Sequence, residues 1–229
     1  LITHVLCVLG VTGDLREMKI FPTRGRICTP GEKESQVSPM DEKSAIRRRM
    51  LDQRRAIPLS EYLKESARIF EWLRTIPEVN ESPSLLTYVS SKDNEVDTWA
   101  IIQWALNRGQ QVFVPKTAPQ RSLVWRRIGS LQELKRSAFG IFEPCTDISN
   151  TGDPPSGAPV LVPGLAFSRH GYRLGYGAGY FDHFLADYRG HFIGLAFRFQ
   201  LLEELPVSPH DIPVHRIITE TEIISCGRP

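Results

Sequence analysis

The sequence predicts an α/β fold, a mostly parallel, open sheet with helices on both faces. Three observations point to it. Short apolar runs such as Val112-Phe113-Val114 and Pro159-Val160-Leu161-Val162 alternate along the chain with helical stretches. These runs are continuously apolar rather than alternating, as strands covered on both faces require. And 229 residues with 41% hydrophobic and 24% charged side chains supply enough apolar surface for a substantial core.

Each element has its own local reason. Ser38-Pro39-Met40-Asp41 starts a helix: Ser38 can cap, Pro39 suits the first turn, and Asp41 suits the positive end. That helix carries Lys43, Arg47 and Met50 and ends before Pro58. A second helix is predicted from Ser60, with Leu63, Ala67, Phe70 and Leu73 as its buried stripe and Pro77 as its stop. Leu85 to Val89 reads as a strand. Asp97 to Asn107 reads as a helix with Ile101, Ile102, Ala105 and Leu106 inward and Gly109 beyond its end. Val112 to Val114 is a buried strand that Pro115 should end, and Leu123-Val124-Trp125 is another. Ser130-Leu131-Gln132-Glu133 is a capping box opening a short helix. The segment from Cys145 to Ala158 is rich in Pro, Gly, Ser and Asp and reads as a surface connector. Pro159 to Val162 is a strand and Tyr180 to Tyr188 a helix. Phe192 to Phe197 and Val214 to Ile218 close the sheet.

Several function classes are disfavoured by composition. A net charge of +2 gives no bulk grip on nucleic acid. No apolar run approaches the ~20 residues of a membrane span. Cys7, Cys28, Cys145 and Cys226 are too scattered for a zinc ribbon or a CxxC redox motif, and suit a reducing compartment. The opening run Leu1 to Gly10 lacks the basic region of a secretory signal. Gly10-Val11-Thr12-Gly13-Asp14-Leu15 with Lys19-Ile20-Phe21-Pro22 resembles the first strand and turn of glucose-6-phosphate dehydrogenase, which would suggest an NAD-linked oxidoreductase. Pro22, Gly25, Pro30 and Gly31 interrupt the βαβ unit that this needs. Residues 1–37 are therefore expected to be a poorly structured extension.

The segment richest in chemistry runs from Val162 to Asp182 between a buried strand and a helix. Gly175, Gly177 and Gly179 let backbone N–H groups approach an anion, and the following helix turns its positive end to the same place. Arg173 adds a cation able to grip phosphate with two donors. Asp182 can hold magnesium through oxygen. A glycine turn alone more often means only a tight strand-to-helix connection. Its spacing also fits neither the dinucleotide fingerprint nor a Walker loop.

The whole set of motifs is more specific. Pro163-Gly164-Leu165-Ala166-Phe167 followed by Arg173-Leu174-Gly175-Tyr176-Gly177-Ala178-Gly179-Tyr180-Phe181-Asp182 resembles the signature of the 5-formyltetrahydrofolate cyclo-ligase family. Lys43-Ser44-Ala45-Ile46-Arg47, the stretch Tyr88 to Thr98, and Gln200 to Pro206 with His210-Asp211 and Ile217 to Glu220 resemble its other motifs in order, so the likeness covers about residues 40 to 225. It implies a Rossmann-like three-layer sandwich of the NagB/RpiA/CoA-transferase kind, with residues 38–229 as the catalytic domain. The activity implied is ATP- and Mg²⁺-dependent conversion of 5-formyltetrahydrofolate to 5,10-methenyltetrahydrofolate through a phosphorylated formyl group. It further implies that Lys43, Arg47 and Arg173 to Phe181 (Arg173, Leu174, Gly175, Tyr176, Gly177, Ala178, Gly179, Tyr180, Phe181) hold ATP. Arg173 and Tyr180 are then the catalytic pair. Ser90, Glu95, Phe139, Tyr176, Gly177, Ala178, Gly179 and Tyr180 border the reduced folate, and Asp182 and Asp211 hold Mg²⁺. His170 and His210 are read as loop residues, because the implied chemistry needs no histidine base. Family members commonly carry Lys or Gly where this chain has Ala178, a second Asp where it has His215, and Tyr where it has Phe181. A cytoplasmic monomer without membrane or nucleic-acid partners is expected.

Overall fold

Proline in the first turn and the acids Asp41 and Glu42 favour the start of α1 (Pro39–Ala56), and Arg54 and Arg55 complement its negative end. The computed structural model describes residues 39–145 and 153–227. Ser38, Cys7, Cys28, the dehydrogenase-like opening and most of the connector after Cys145 lie outside the described residues.

α2 (Leu59–Arg74) presents a face different from the one expected. Ser66, Ile69 and Leu73 are buried, with Tyr62 and Phe70 packed beside them, while Leu63 is 53% exposed and Ala67 is exposed. An apolar-only count passes over Ser66. Its hydroxyl accepts a hydrogen bond from the Asp97 backbone N–H, which satisfies it inside the core. A short α3 (Pro77–Asn80) follows, with Pro77 as its first residue. β1 (Ser84–Leu86) is briefer than predicted, because the chain leaves the ladder into a buried loop. After α4 (Trp99–Asn107) and a left-handed Gly109, β2 (Gln111–Ala118) runs straight through Pro115 and pairs antiparallel with β3 (Ser122–Ile128). Pro115 does not end the strand because its missing N–H points toward β1. That neighbour's last ladder bond runs from the Thr87 N–H to the Phe113 carbonyl, so no partner is lost. The predicted helix at Ser130 is one 3₁₀ turn, Leu131–Glu133, held by Glu133 accepting from the Gly129 and Ser130 backbone N–H groups.

The remaining elements are β4 (Leu134–Arg136), β5 (Phe142–Pro144), β6 (Val160–Val162), β7 (Ala166–Ser168), β8 (Arg173–Leu174), α5 (Tyr180–Asp187), β9 (Phe192–Leu195), β10 (Leu201–Leu202), β11 (Arg216–Ile218) and β12 (Ile223–Ser225). The main sheet has the order β12-β11-β9-β6-β1-β2-β3. Its inner pairs are parallel, and β3 and β12 add antiparallel edges. Small sheets β10-β7-β8 and β4-β5 complete it.

Adjacent residues of each strand point to opposite faces. Leu85, Val112, Leu161 and Ile193 pack with α2 and α4, and Leu86, Phe113, Val160, Val162 and Phe192 pack with α5. Helices thus cover both faces. α1 packs through Met50 on Ala166 and Leu174 of the small sheet and on Leu165 just before it. Among the described residues no helix is long and apolar enough to cross a membrane.

Phe167 fastens the small sheet to the large one. It is fully buried, and a Cβ added at Gly164 or Gly194 would come within 2.5 Å of its ring. Two missing side chains thus form the slot for one aromatic ring. Gly194→Ala is expected to cost about 1–3 kcal/mol by overpacking, read as a lowered melting temperature. An unchanged melting curve would contradict the tightness of this slot.

Candidate active site

β1 is followed by β2 on one side of the sheet, and the later strand β6 returns to its other side, so β1 and β6 flank a topological switch point. In open α/β sheets the crevice outside such strand ends is where ligands bind. The residues leaving β1 (Tyr88, Val89, Lys92, Glu95) and β6 (Pro163, Gly164) line a cleft of 1110 Å³. Two other hollows measure 490 and 480 Å³.

One half of the cleft is cationic. Lys43, Arg47, Met50 and Arg54 follow at steps of four, three and four on α1, so they share one face. Lys43 Nζ donates to Ser208 Oγ at 2.8 Å and to Asp211 Oδ2 at 2.9 Å, and that same oxygen accepts from the Ser208 backbone N–H at 2.7 Å. Arg47 Nε donates to the Gly175 carbonyl at 2.9 Å. The glycine turn needs its glycines at two points. Gly177 has φ +103°, and a Cβ there would lie 3.4 Å from the Arg47 guanidinium carbon; Gly179 has φ +76° at the N-cap of α5. Arg173 is buried on β8. Its Nη2 lies 2.9 Å from Asp182 Oδ1, its Nη1 donates to the Ile212 carbonyl at 3.4 Å, and Phe181 stacks beneath the guanidinium at 5.9 Å. Burial lowers the Arg173 pKa, and the charges of Asp182 and Asp211 oppose that shift.

The other half centres on Glu95. Asp93 and Asn94 adopt left-handed φ of 54° and 49°, which short Asx side chains tolerate, and this turn delivers Glu95 to the cleft. Glu95 Oε2 accepts from the Ser91 backbone N–H at 3.0 Å, and Oε1 accepts from the Tyr176 hydroxyl at 3.4 Å. Burial raises the Glu95 pKa above the usual carboxyl range, against the pull of the Ser91 N–H and the Arg54 charge. Burial and the nearby Glu95 charge likewise raise the Tyr176 phenol. Lys92 Nζ lies 4.9 Å from the centre of the Tyr176 ring. Phe139 lines this half of the cleft while 74% exposed, so it is an unburied aromatic face rather than core.

The cleft gathers Lys43, Arg47, Glu95, Phe139, every residue from Arg173 to Asp182, and Asp211. Ser90 is the exception and does not line it. Its N–H and hydroxyl bond reciprocally with Thr98, and its carbonyl accepts from Trp99 Nε1, so it fixes the start of α4. His210 lines the cleft, whereas His170 is exposed in the turn before Gly171. His215 accepts the Phe192 backbone N–H through Nδ1, away from this cleft. Reading the sequence missed Lys92, Thr117, Arg121, Glu143 and Ser208 in the lining and Arg54 behind it. Arg54 had a signal, since it continues the Lys43-Arg47-Met50 spacing. Glu143 had none: it is buried against the Thr117 N–H and hydroxyl by tertiary packing.

A model of the 5-formyltetrahydrofolate cyclo-ligase family matches residues 39–220. The chain is 31% identical over 198 residues to a Caenorhabditis elegans protein named "Probable 5-formyltetrahydrofolate cyclo-ligase", spanning 80% of this chain and 94% of that one. It is 31% identical over 157 residues to the 5-formyltetrahydrofolate cyclo-ligase of Escherichia coli K12, spanning 66% and 85%. Among solved structures, that of Aquifex aeolicus 5,10-methenyltetrahydrofolate synthetase superposes with a TM-score of 0.69 at 30% identity, covering 82% of this chain and 95% of that one.

Proposed function

Since the chain belongs to the 5-formyltetrahydrofolate cyclo-ligase family, we propose that its cleft converts 5-formyltetrahydrofolate and ATP into 5,10-methenyltetrahydrofolate, ADP and phosphate, by closing the ring at N10. One observation supports this reading above the others. The cation-lined glycine turn and the half-buried carboxylate Glu95 open into the same cleft, at the switch point between β1 and β6.

The formyl oxygen attacks the γ-phosphorus, the bond to the β-phosphate oxygen breaks, and ADP leaves. N10 then attacks the activated formyl carbon, loses its proton, and the carbon–oxygen bond breaks to release phosphate. Little covalent chemistry falls to the protein, so its work is positioning and charge compensation. Lys43, Arg47 and Arg173 compensate the phosphates together with the N–H groups of residues 175–179. Glu95 accepts from the pterin ring N–H donors, and Phe139 and Tyr176 offer aromatic faces to its plane. Tyr180, at the first turn of α5, borders the transferring phosphoryl group.

The carboxylates fit magnesium. Asp182 and Asp211 each commit one oxygen to a cation and leave the other without a hydrogen-bond partner among the described residues. No group of three or more His, Cys, Asp or Glu side chains suited to a metal occurs among the described residues. The pair Asp182 and Asp211 suits an ion which takes one or two carboxylates and completes its shell with phosphate and water. When bound, Mg²⁺ would neutralise charge on the phosphate oxygens. We take the catalytic unit to be residues 38–229, acting as a monomer, with 1–37 outside it.

The test is direct. Purified protein with 5-formyltetrahydrofolate, ATP and Mg²⁺ should develop the near-ultraviolet absorbance of the conjugated methenyl product, with ADP and phosphate in equal amounts. Omitting ATP or the metal should abolish it. Product formed without ATP, or no product with every component present, would overturn the proposal.

A further inference from the structure

Among the described residues Arg54 is the largest of the fully buried side chains, at 2% exposure, and it does not line the cleft. A buried guanidinium must find acceptors for its donors, and those of Arg54 all belong to segments that form the cleft. Nε donates to the Asp93 carbonyl at 2.6 Å and Nη2 to the Lys92 carbonyl at 3.5 Å, both in the loop after β1. Nη1 donates to the Gly164 carbonyl at 3.4 Å, in the loop after β6. Nη2 also donates to the Tyr176 hydroxyl at 2.6 Å, in the glycine turn. The return contact completes the clamp, because the Asn94 side-chain amide donates to the Arg54 carbonyl at 2.9 Å.

The Tyr176 hydroxyl is the pivot. With its oxygen accepting from Arg54, its proton is directed to Glu95 Oε1 at 3.4 Å. Tyr176 belongs to the turn whose neighbour Gly175 is bonded to Arg47, on the cationic half of the cleft. Glu95 belongs to the other half. Arg54–Tyr176–Glu95 is thus a hydrogen-bonded chain between the two halves, anchored in the core at one end. Tyr176 is 41% exposed, so its ring has little packing to hold it and depends on these polar contacts and on the cations Lys92 and Arg54 near its face.

We propose that Arg54 is a positioning residue: by fixing the Tyr176 hydroxyl toward Glu95 it couples the nucleotide turn to the folate-binding carboxylate, so that each substrate tightens the binding of the other. The inference rests on the functional reading above and adds to it an energetic link between the two substrate sites. Such a link is reciprocal by thermodynamic necessity. A ligand that orders the turn presets Tyr176 for Glu95, and a ligand seated on Glu95 presets the turn.

Calorimetric titrations of 5-formyltetrahydrofolate with and without a non-hydrolysable ATP analogue plus Mg²⁺, and of the analogue with and without the folate, test this. Wild-type protein should show mutual tightening of about 5-fold or more, by the same factor in both directions. Tyr176→Phe removes only the hydroxyl, and Arg54→Lys keeps the charge but lacks the planar fork that reaches several acceptors. Each should bring the factor near one, and the double variant should lose no more than the single ones. Thermal unfolding establishes that the variants are folded, and if Arg54→Lys is not, Tyr176→Phe carries the test alone. Both ligands binding wild-type protein without mutual tightening, or tightening that persists in Tyr176→Phe, would overturn the inference. Failure of either ligand to bind wild-type protein would instead remove the functional reading, and the inference with it.

Discussion

Arg173→Ala is expected to lower kcat/KM by about 10³-fold or more while leaving a folded protein, the scale found where a single arginine stabilises charge in phosphoryl transfer. Three features of this side chain support so large an effect. It is buried, so its charge acts through a medium that screens poorly. It is held by Asp182 and the Ile212 carbonyl, so its position is set before a phosphate arrives. And it lies on a short strand of a small sheet whose partner strand bears Phe167, the aromatic wedge between the two sheets, so backbone motion cannot replace it. Arg173→Lys should fall between the two, since it retains the charge but offers no fork to two oxygens. The methenyl absorbance assay reads the rates, and thermal unfolding shows that the chain stays folded. A rate within tenfold of wild type for Arg173→Ala would mean that the phosphates lie elsewhere.

Glu95→Gln carries the second large effect, and it moves activity and stability in opposite directions. A carboxylate receiving pterin N–H donors makes charge-assisted bonds, and losing them costs about 2–3 kcal/mol, or roughly 30- to 150-fold in kcat/KM. Stability follows from the raised pKa of Glu95. A carboxyl group whose folded-state pKa lies above its unfolded value favours folding in its protonated form. That contribution is complete below the unfolded pKa and is lost as pH rises through the folded one. Once ionised, at pH above its folded-state pKa, Glu95 therefore weakens the fold, and there glutamine, which resembles the protonated acid, should melt at a higher temperature. The gap between variant and wild type should close as the pH falls below the ordinary carboxyl range. Paired activity and melting measurements across pH check both halves. A variant that is less stable at neutral pH would show that Glu95 is held by its partners more strongly than burial disfavours it.

The parts of the fold that were legible in the sequence are those decided locally. Continuous apolar runs marked β6 and β9 as strands covered on both faces. Proline and acids marked the start of α1, and the glycine spacing after Arg173 marked a turn opening a helix. What escaped depends on neighbours. Pro115 breaks a strand only where a partner needs its N–H, and β1 has already ended there. Ser66 counts as polar until Asp97 supplies a backbone donor. Ser90 sits within a motif rich in binding residues, yet its groups are used on Thr98 and Trp99. The antiparallel edges β3 and β12 follow hairpin-like returns that apolar periodicity does not distinguish from parallel strands. In the candidate site, residues within the contiguous glycine motif were found, whereas Arg54 and Glu143 act through contacts far apart in sequence.

On the proposed function, the ion pairs of Lys43 and Arg173 would give the unliganded protein a selectivity of its own. Lys43 is balanced by Asp211 and Arg173 by Asp182, and among the described residues Arg47 meets a carbonyl dipole rather than a carboxylate. A lone inorganic anion drifting in from solution meets a nearly neutral surface and must compete with carboxylates already in place. On the proposed function, Lys43 and Arg173 would pass together to the oxygens of a polyphosphate chain arriving with a divalent ion, and Asp211 and Asp182 would be freed to hold that ion. The resting charge pattern would then discriminate nucleotide from stray phosphate, by an exchange that a single small ion is poorly equipped to complete.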